Sequence, residues 1–183
     1  MFQTILLGLT RLTNGLAITA NAVGTLVVLA LVVVVNFDVV ARGVFSAPFR
    51  GAYEVVQFSI VFIVFLQLPD VVRVDRLTRS DGFLTLIQDK RPRLTAWLRR
   101  FINGISALFM SFIAYIMWPE FIEMLHTGDY FGVPGIFVAP WWPIKLVIAA
   151  SAALCTIIFI LKILAPAEPA PLVRAPEHDE ADT

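Results

Sequence analysis

The chain has 183 residues, of which 58% are apolar and only 15% charged, with a mean hydropathy of +0.82. That leaves too little polar surface to wrap a water-soluble core of this size, so water is not the main solvent for the fold. Fourteen basic residues balance fourteen acidic ones, which excludes a basic field for nucleic acid, and the single cysteine, Cys155, excludes an intrachain disulfide or a thiolate metal cluster.

In chain order, Met1 to Asn14 is mildly polar and amphipathic and lacks a short apolar core ending in a small-residue cleavage site, so the apolar segment after it is expected to stay as an anchor. A helix needs about 20 apolar residues to cross the roughly 30 Å hydrocarbon layer. The first span is expected over about 15–37. Asp38 and Arg42 follow at its outer end, four residues apart with the acid first, the favourable order for a helical ion pair. The link FSAPFRG carries Pro48 and Gly51, which turn the chain back into a second span over about 51–69 that opens with Glu54. A hairpin this tight is expected to bring Arg42 and Glu54 together at the outer surface.

Residues 70–100 hold eight of the 14 basic residues. By the positive-inside rule this connection faces the cytoplasm, and with four spans both termini share that side. Within it, FLTLIQDKRPRLTAWLRR mixes Leu, Ile, Phe and Trp97 with bases, the pattern of an amphipathic helix lying in the lipid headgroup region between spans 2 and 3. The third span is expected over 101–119, with PEFIEMLHTGD extending the helix beyond the membrane. The fourth, over 139–161, starts in APWWPIK: Trp141 and Trp142 mark an interfacial aromatic belt, and Lys145 either snorkels back to that interface or meets acids of a partner subunit. Residues 165–183, rich in Pro, Ala and acids, read as a disordered cytoplasmic tail. The expected fold is an all-α membrane protein with four transmembrane helices around a single membrane domain, 15–164.

Catalytic, cofactor and metal patterns are missing from this reading. The only histidines, His126 and His178, fall in the outer loop and the tail, so haem ligands inside a bundle are lacking. No phosphate loop, zinc-ligand spacing or nucleophile elbow occurs. No ionisable residue falls in the middle of a span, so the usual equipment of an ion pathway is missing too.

The stretch NFDVVARGVFSAPFRGAYEVVQF, with an Arg closing the first span and a Glu opening the second around a Pro-containing hairpin, resembles the small membrane subunit of TRAP transporters, the DctQ-type family. VVRVDRL after the second span, KRPRLTAWLRR before the third, a Gly-rich outer loop and APWWPIK before the last span agree in order and spacing, over roughly Leu16 to Leu164. The family pattern has a His beside the RVD element where this chain reads Asp70-Val71-Val72. The resemblance implies a bacterial inner-membrane protein that pairs with a large multi-span subunit, which carries substrate and sodium by an elevator-like movement. A periplasmic binding protein would deliver an organic acid such as a dicarboxylate, sialic acid or a keto acid. The small subunit would brace the large one and help dock the binding protein. Arg42 and Glu54 are the foremost carried-over positions, as structural and interface residues; Asp38, Arg73, Asp75, Trp141, Trp142 and Lys145 stand with them. Two other readings compete: an autonomous proton-coupled exporter acting as a homodimer, with Glu54 as coupling carboxylate, and a non-transport assembly or signalling tetraspan.

Overall fold

The computed structural model describes residues 2–46, 51–75, 92–133 and 137–164. Four helices long and apolar enough to cross a membrane make up nearly all of it, as the hydropathy predicts. Helix α1 runs unbroken from Phe2 to Phe45. No proline occurs before Pro48, so nothing interrupts the ladder between the amphipathic start and the first span. At 1.5 Å per residue its 44 residues reach about 66 Å, twice the hydrocarbon thickness. Ser46 in a left-handed conformation (φ 52°) ends it.

Helix α2 spans Ala52–Arg73, four residues beyond the expected end of the second span. It starts at Gly51, whose φ of 99° is open to glycine without a Cβ penalty, and it carries Pro69 inside. It stops at Asp75 (φ 56°), one of the few non-glycine residue types that tolerate the left-handed region. Helix α3 runs from Pro92 to Thr127, and Pro92 is pre-set for a first helical position. Residues 92–100, assigned from sequence to an interfacial helix, are the first turns of this same helix and join the third span without a break. The remainder of that segment, 76–91, lies outside the described residues, as does the tail. The expected extension past Pro119 is present, and Gly128 (φ 68°) closes it by donating its amide to Met124 O at 3.1 Å.

The fourth span begins later than expected. Residues 137–140 belong to an antiparallel hairpin of β1 (Tyr130–Val133) and β2 (Phe137–Pro140) in the register Tyr130↔Pro140, and helix α4 covers Trp142–Leu164. Trp141 fastens the hairpin to the helix: its amide donates to Asp129 O at 3.1 Å, and its ring meets Phe131 edge-on with centroids 5.1 Å apart. The signal overlooked in the sequence is the pair of β-rich runs, YFGV and IFVAP, around Pro134-Gly135.

Helix α4 is the centre of the bundle. It packs mainly against α3 on one side and α2 on the other, α1 packs mainly against α2, and α1 meets α4 over a much smaller area. Most buried apolar residues lie on α4, including Ala149, Ala152, Cys155, Ile158 and Phe159; Ala17, Val72 and Ala107 complete the core.

The close crossing of α1 and α2 is at Gly24, where a Cβ would stand 2.9 Å from Gln67 Cγ and 3.3 Å from Leu66 Cβ; at Gly15 it would meet open space. Small residues let membrane helices approach where van der Waals packing is the main attraction. Gly24→Ile is therefore expected to cost about 2 kcal/mol by overpacking, read as a lower midpoint in a denaturing-detergent titration. Gly15→Ala should leave the midpoint unchanged or raise it, since alanine is the better helix former.

Candidate functional site

The chemistry-bearing side chains gather at the two ends of an apolar bundle. Residues 12–37, 55–69, 101–119 and 146–161 contain no charged residue, as the cost of a charge at mid-bilayer requires. The ionic groups near the spans therefore sit where they can reach headgroups, water or one another.

At the end away from the termini, Asp38 and Arg42 form the ion pair their spacing predicts, at 2.8 Å, with Arg42 65% exposed and Asp38 13%. Among the described residues no ion pair joins Arg42 to Glu54. The register explains this. Asn21 faces Asp70 and Gly24 faces Leu66 and Gln67; carried outward at equal rise, Glu54 comes about level with Phe37, more than one turn below Arg42. Asp38 is the nearer carboxylate. Glu54 lies half-buried in the first turn of α2, where its charge complements the helix dipole.

On the same end Lys145 finds an acid within its own chain, donating to Glu120 Oε2 at 3.1 Å. The bridge ties the first turn of α4 to the segment of α3 just past Pro119. Sequence reading placed Lys145 near an interface but did not name Glu120, whose distance along the chain hides that both mark the same depth. Trp142 opens α4 and is exposed, and Trp141 is held by the hairpin.

The end carrying the termini holds a connected cluster that links three helices. Asn21 Nδ2 donates to Asp70 Oδ2 at 2.9 Å, joining α1 to α2. Arg73 Nε donates to Asp70 Oδ1 at 2.8 Å. Lys162, in the last turn of α4, donates to Asp75 Oδ1 at 2.6 Å and to the Val72 carbonyl at 2.7 Å. The left-handed turn at Asp75 ends α2 beside this ammonium. Asp70 and Val72 are thus structural: one carboxylate serves two donors, and the other residue is fully buried with its carbonyl engaged. Asn21, Glu120 and Lys162 are residues that sequence reading did not single out, and it gave Asp70 no structural role.

Among the described residues no three His, Cys, Asp or Glu side chains gather as a metal site. The arrangement serves to fix helix ends while leaving wide apolar faces outward, notably Trp97, Phe101, Leu108, Phe112 and Tyr115 along α3 and Leu26, Leu29 and Val33 on α1. Residues 31–168 match the family model described as tripartite ATP-independent periplasmic transporters, DctQ component. No curated protein and no solved structure matches the chain.

Proposed function

The chain belongs to the DctQ family and so is the small membrane subunit of a tripartite ATP-independent periplasmic transporter; from that premise we propose that it braces the large transport subunit and moves no solute itself. Such a transporter works with a large membrane subunit and a periplasmic binding protein, and this chain contributes packing surface to the stationary part of the large one. The observation that supports this most is the contrast between its ends and its faces. Charges are confined to the ends, where four ion pairs form, whereas α1 and α3 turn long rows of large apolar side chains outward. Without a hydrophobic force between helices in lipid, association rests on van der Waals contact over a broad area, and these faces supply it.

In this reading the protein sits in a bacterial inner membrane with both termini cytoplasmic. Arg42, Asp38 and Glu54 then lie on the periplasmic side with the hairpin, Trp141, Trp142 and Lys145, where they are placed to contact the large subunit and the docked binding protein. Uptake is coupled to sodium, and the solute is an organic acid of the dicarboxylate, sialic acid or keto acid class. Arg73 and Asp75 hold the cytoplasmic end. The test is co-expression with the cognate large subunit followed by purification in mild detergent through a tag on this chain. The large subunit is expected to co-elute in fixed proportion, and a chain that elutes as a free monomer would refute the bracing role.

A further inference from the structure

Between α1 and α4, which touch over only a small area, the seam is open. At membrane depth it forms an apolar slot of about 510 Å³, lined by Leu16, Ala20 and Val23 of α1, Phe65 of α2 and Ala150 and Leu154 of α4 among others. Its volume falls within the range of small-molecule sites. One turn nearer the termini the same three helices line a second cavity of about 240 Å³, of mixed lining, with Thr10, Thr13 and Asn14 of α1, Arg73 of α2 and Lys162 of α4 beside Ile158 and Leu161. The two are consecutive along every helix: Leu16 follows Asn14, Pro69 precedes Arg73 by one turn, and Ile157 adjoins Ile158.

An apolar slot reached through a mouth with two cations has the outline of an amphiphile. We propose that this seam binds one glycerophospholipid of the leaflet on the side of the termini, with an acyl chain in the slot and the phosphate at Arg73 and Lys162. The mouth lies where the first and fourth spans leave the hydrocarbon, which is the depth of a phosphate group. Arg73 directs Nε and one Nη at Asp70 Oδ1, which leaves other N–H groups of its five-donor fork for a phosphate oxygen. Lys162 adds a second charge, itself only 20% exposed. Asp70 and Asp75 make the mouth electrically balanced, so recognition rests on the N–H groups that Arg73 does not direct at Asp70 rather than on net charge. Charge-assisted bonds to phosphate are the strong kind, and basic pockets between membrane helices are known recognition sites for lipid headgroups. The occupant is therefore told apart from a neutral lipid by its phosphate.

The full chain, purified in mild detergent, is examined by native mass spectrometry for retained lipid. Wild type is expected to keep a stoichiometric phospholipid, and Ala150→Phe, which fills the slot from an exposed position, to lose it while circular dichroism shows unchanged helix content. After delipidation, dioleoyl-phosphatidylethanolamine should rebind about tenfold more tightly than dioleoylglycerol, the difference one charge-assisted contact makes. Arg73→Gln combined with Lys162→Gln should erase that preference. Equal lipid retention by wild type and Ala150→Phe overturns the site, and equal affinity for the two probes in wild type overturns the phosphate contact. A photo-crosslinker at position 153 that joins the large subunit in the complex, rather than lipid, shows that a protein fills the slot and also overturns it.

Discussion

Liposomes that contain the large transport subunit and solute-loaded binding protein but lack this chain are expected to accumulate no more solute along a sodium gradient than empty liposomes. Adding the chain restores uptake, and the chain alone gives none. The last point follows from where the charges lie. An ion pathway through lipid needs ionisable or strongly polar groups at depth, and the central stretch of every span carries no charged residue. The need for the chain follows from mechanics. A transport element that slides within a membrane works only against a part that stays still. Lipid tails yield, so stillness has to come from further protein packed alongside. Four spans whose outward faces are apolar along their length, with no charge to favour one depth over another except at the ends, are built for that contact. Uptake at full rate without the chain would end the bracing proposal. Gradient-driven accumulation by the chain alone would end it equally.

Replacing Asp70 is the substitution expected to cost the fold most among the polar residues. Its carboxylate is the acceptor for Asn21 on α1 and for Arg73, and its side chain is only 18% exposed. Asp70→Ala leaves a carboxamide and a guanidinium in a partly closed seam with no acceptor between them. Hydrogen bonds to charged groups contribute about 1.5–3 kcal/mol; Arg73, at 28% exposure, regains part of this from water and headgroups. A loss of about 2 kcal/mol is expected for Asp70→Ala, and about half of that for Asp70→Asn, which keeps one acceptor oxygen. The cost should appear as a lower midpoint in a denaturing-detergent titration. Asn21→Ala on the Asp70→Ala background should add little, since the shared bond is already gone. If Asp70→Ala unfolds at the wild-type midpoint, or the two changes add in full, the cluster does not tie α1 to α2.

The effect bears on function through the same helices. Asn21 and Asp70 set the register in which Gly24 passes Leu66 and Gln67, and that register decides what stands level with Glu54 at the far end. A slip of one turn would move Glu54 about 5.4 Å along α1 and change the outer surface that Arg42, Asp38 and Glu54 present. Asn21 lies before residue 31, where the match to the family model starts, so one half of this tie is outside the shared region.

The amino-acid sequence alone determined the number of spans, their centres and the restriction of charge to their ends, because the solvent imposes these on each segment separately: about 20 apolar residues and no unpaired charge at depth. It also determined the Asp38–Arg42 pair, since a spacing of four on one helix is a local geometry. The partners of Lys145, Lys162 and Asn21, the choice of Gly24 over Gly15 as the close contact, and the hairpin that delays the start of α4 were decided only by the tertiary structure. Helices apolar on every side offer no stripe from which to read the inward face. Their rotation and relative depth are settled by packing between segments far apart in the chain, and it is rotation and depth that bring Glu120 to Lys145 and keep Arg42 from Glu54.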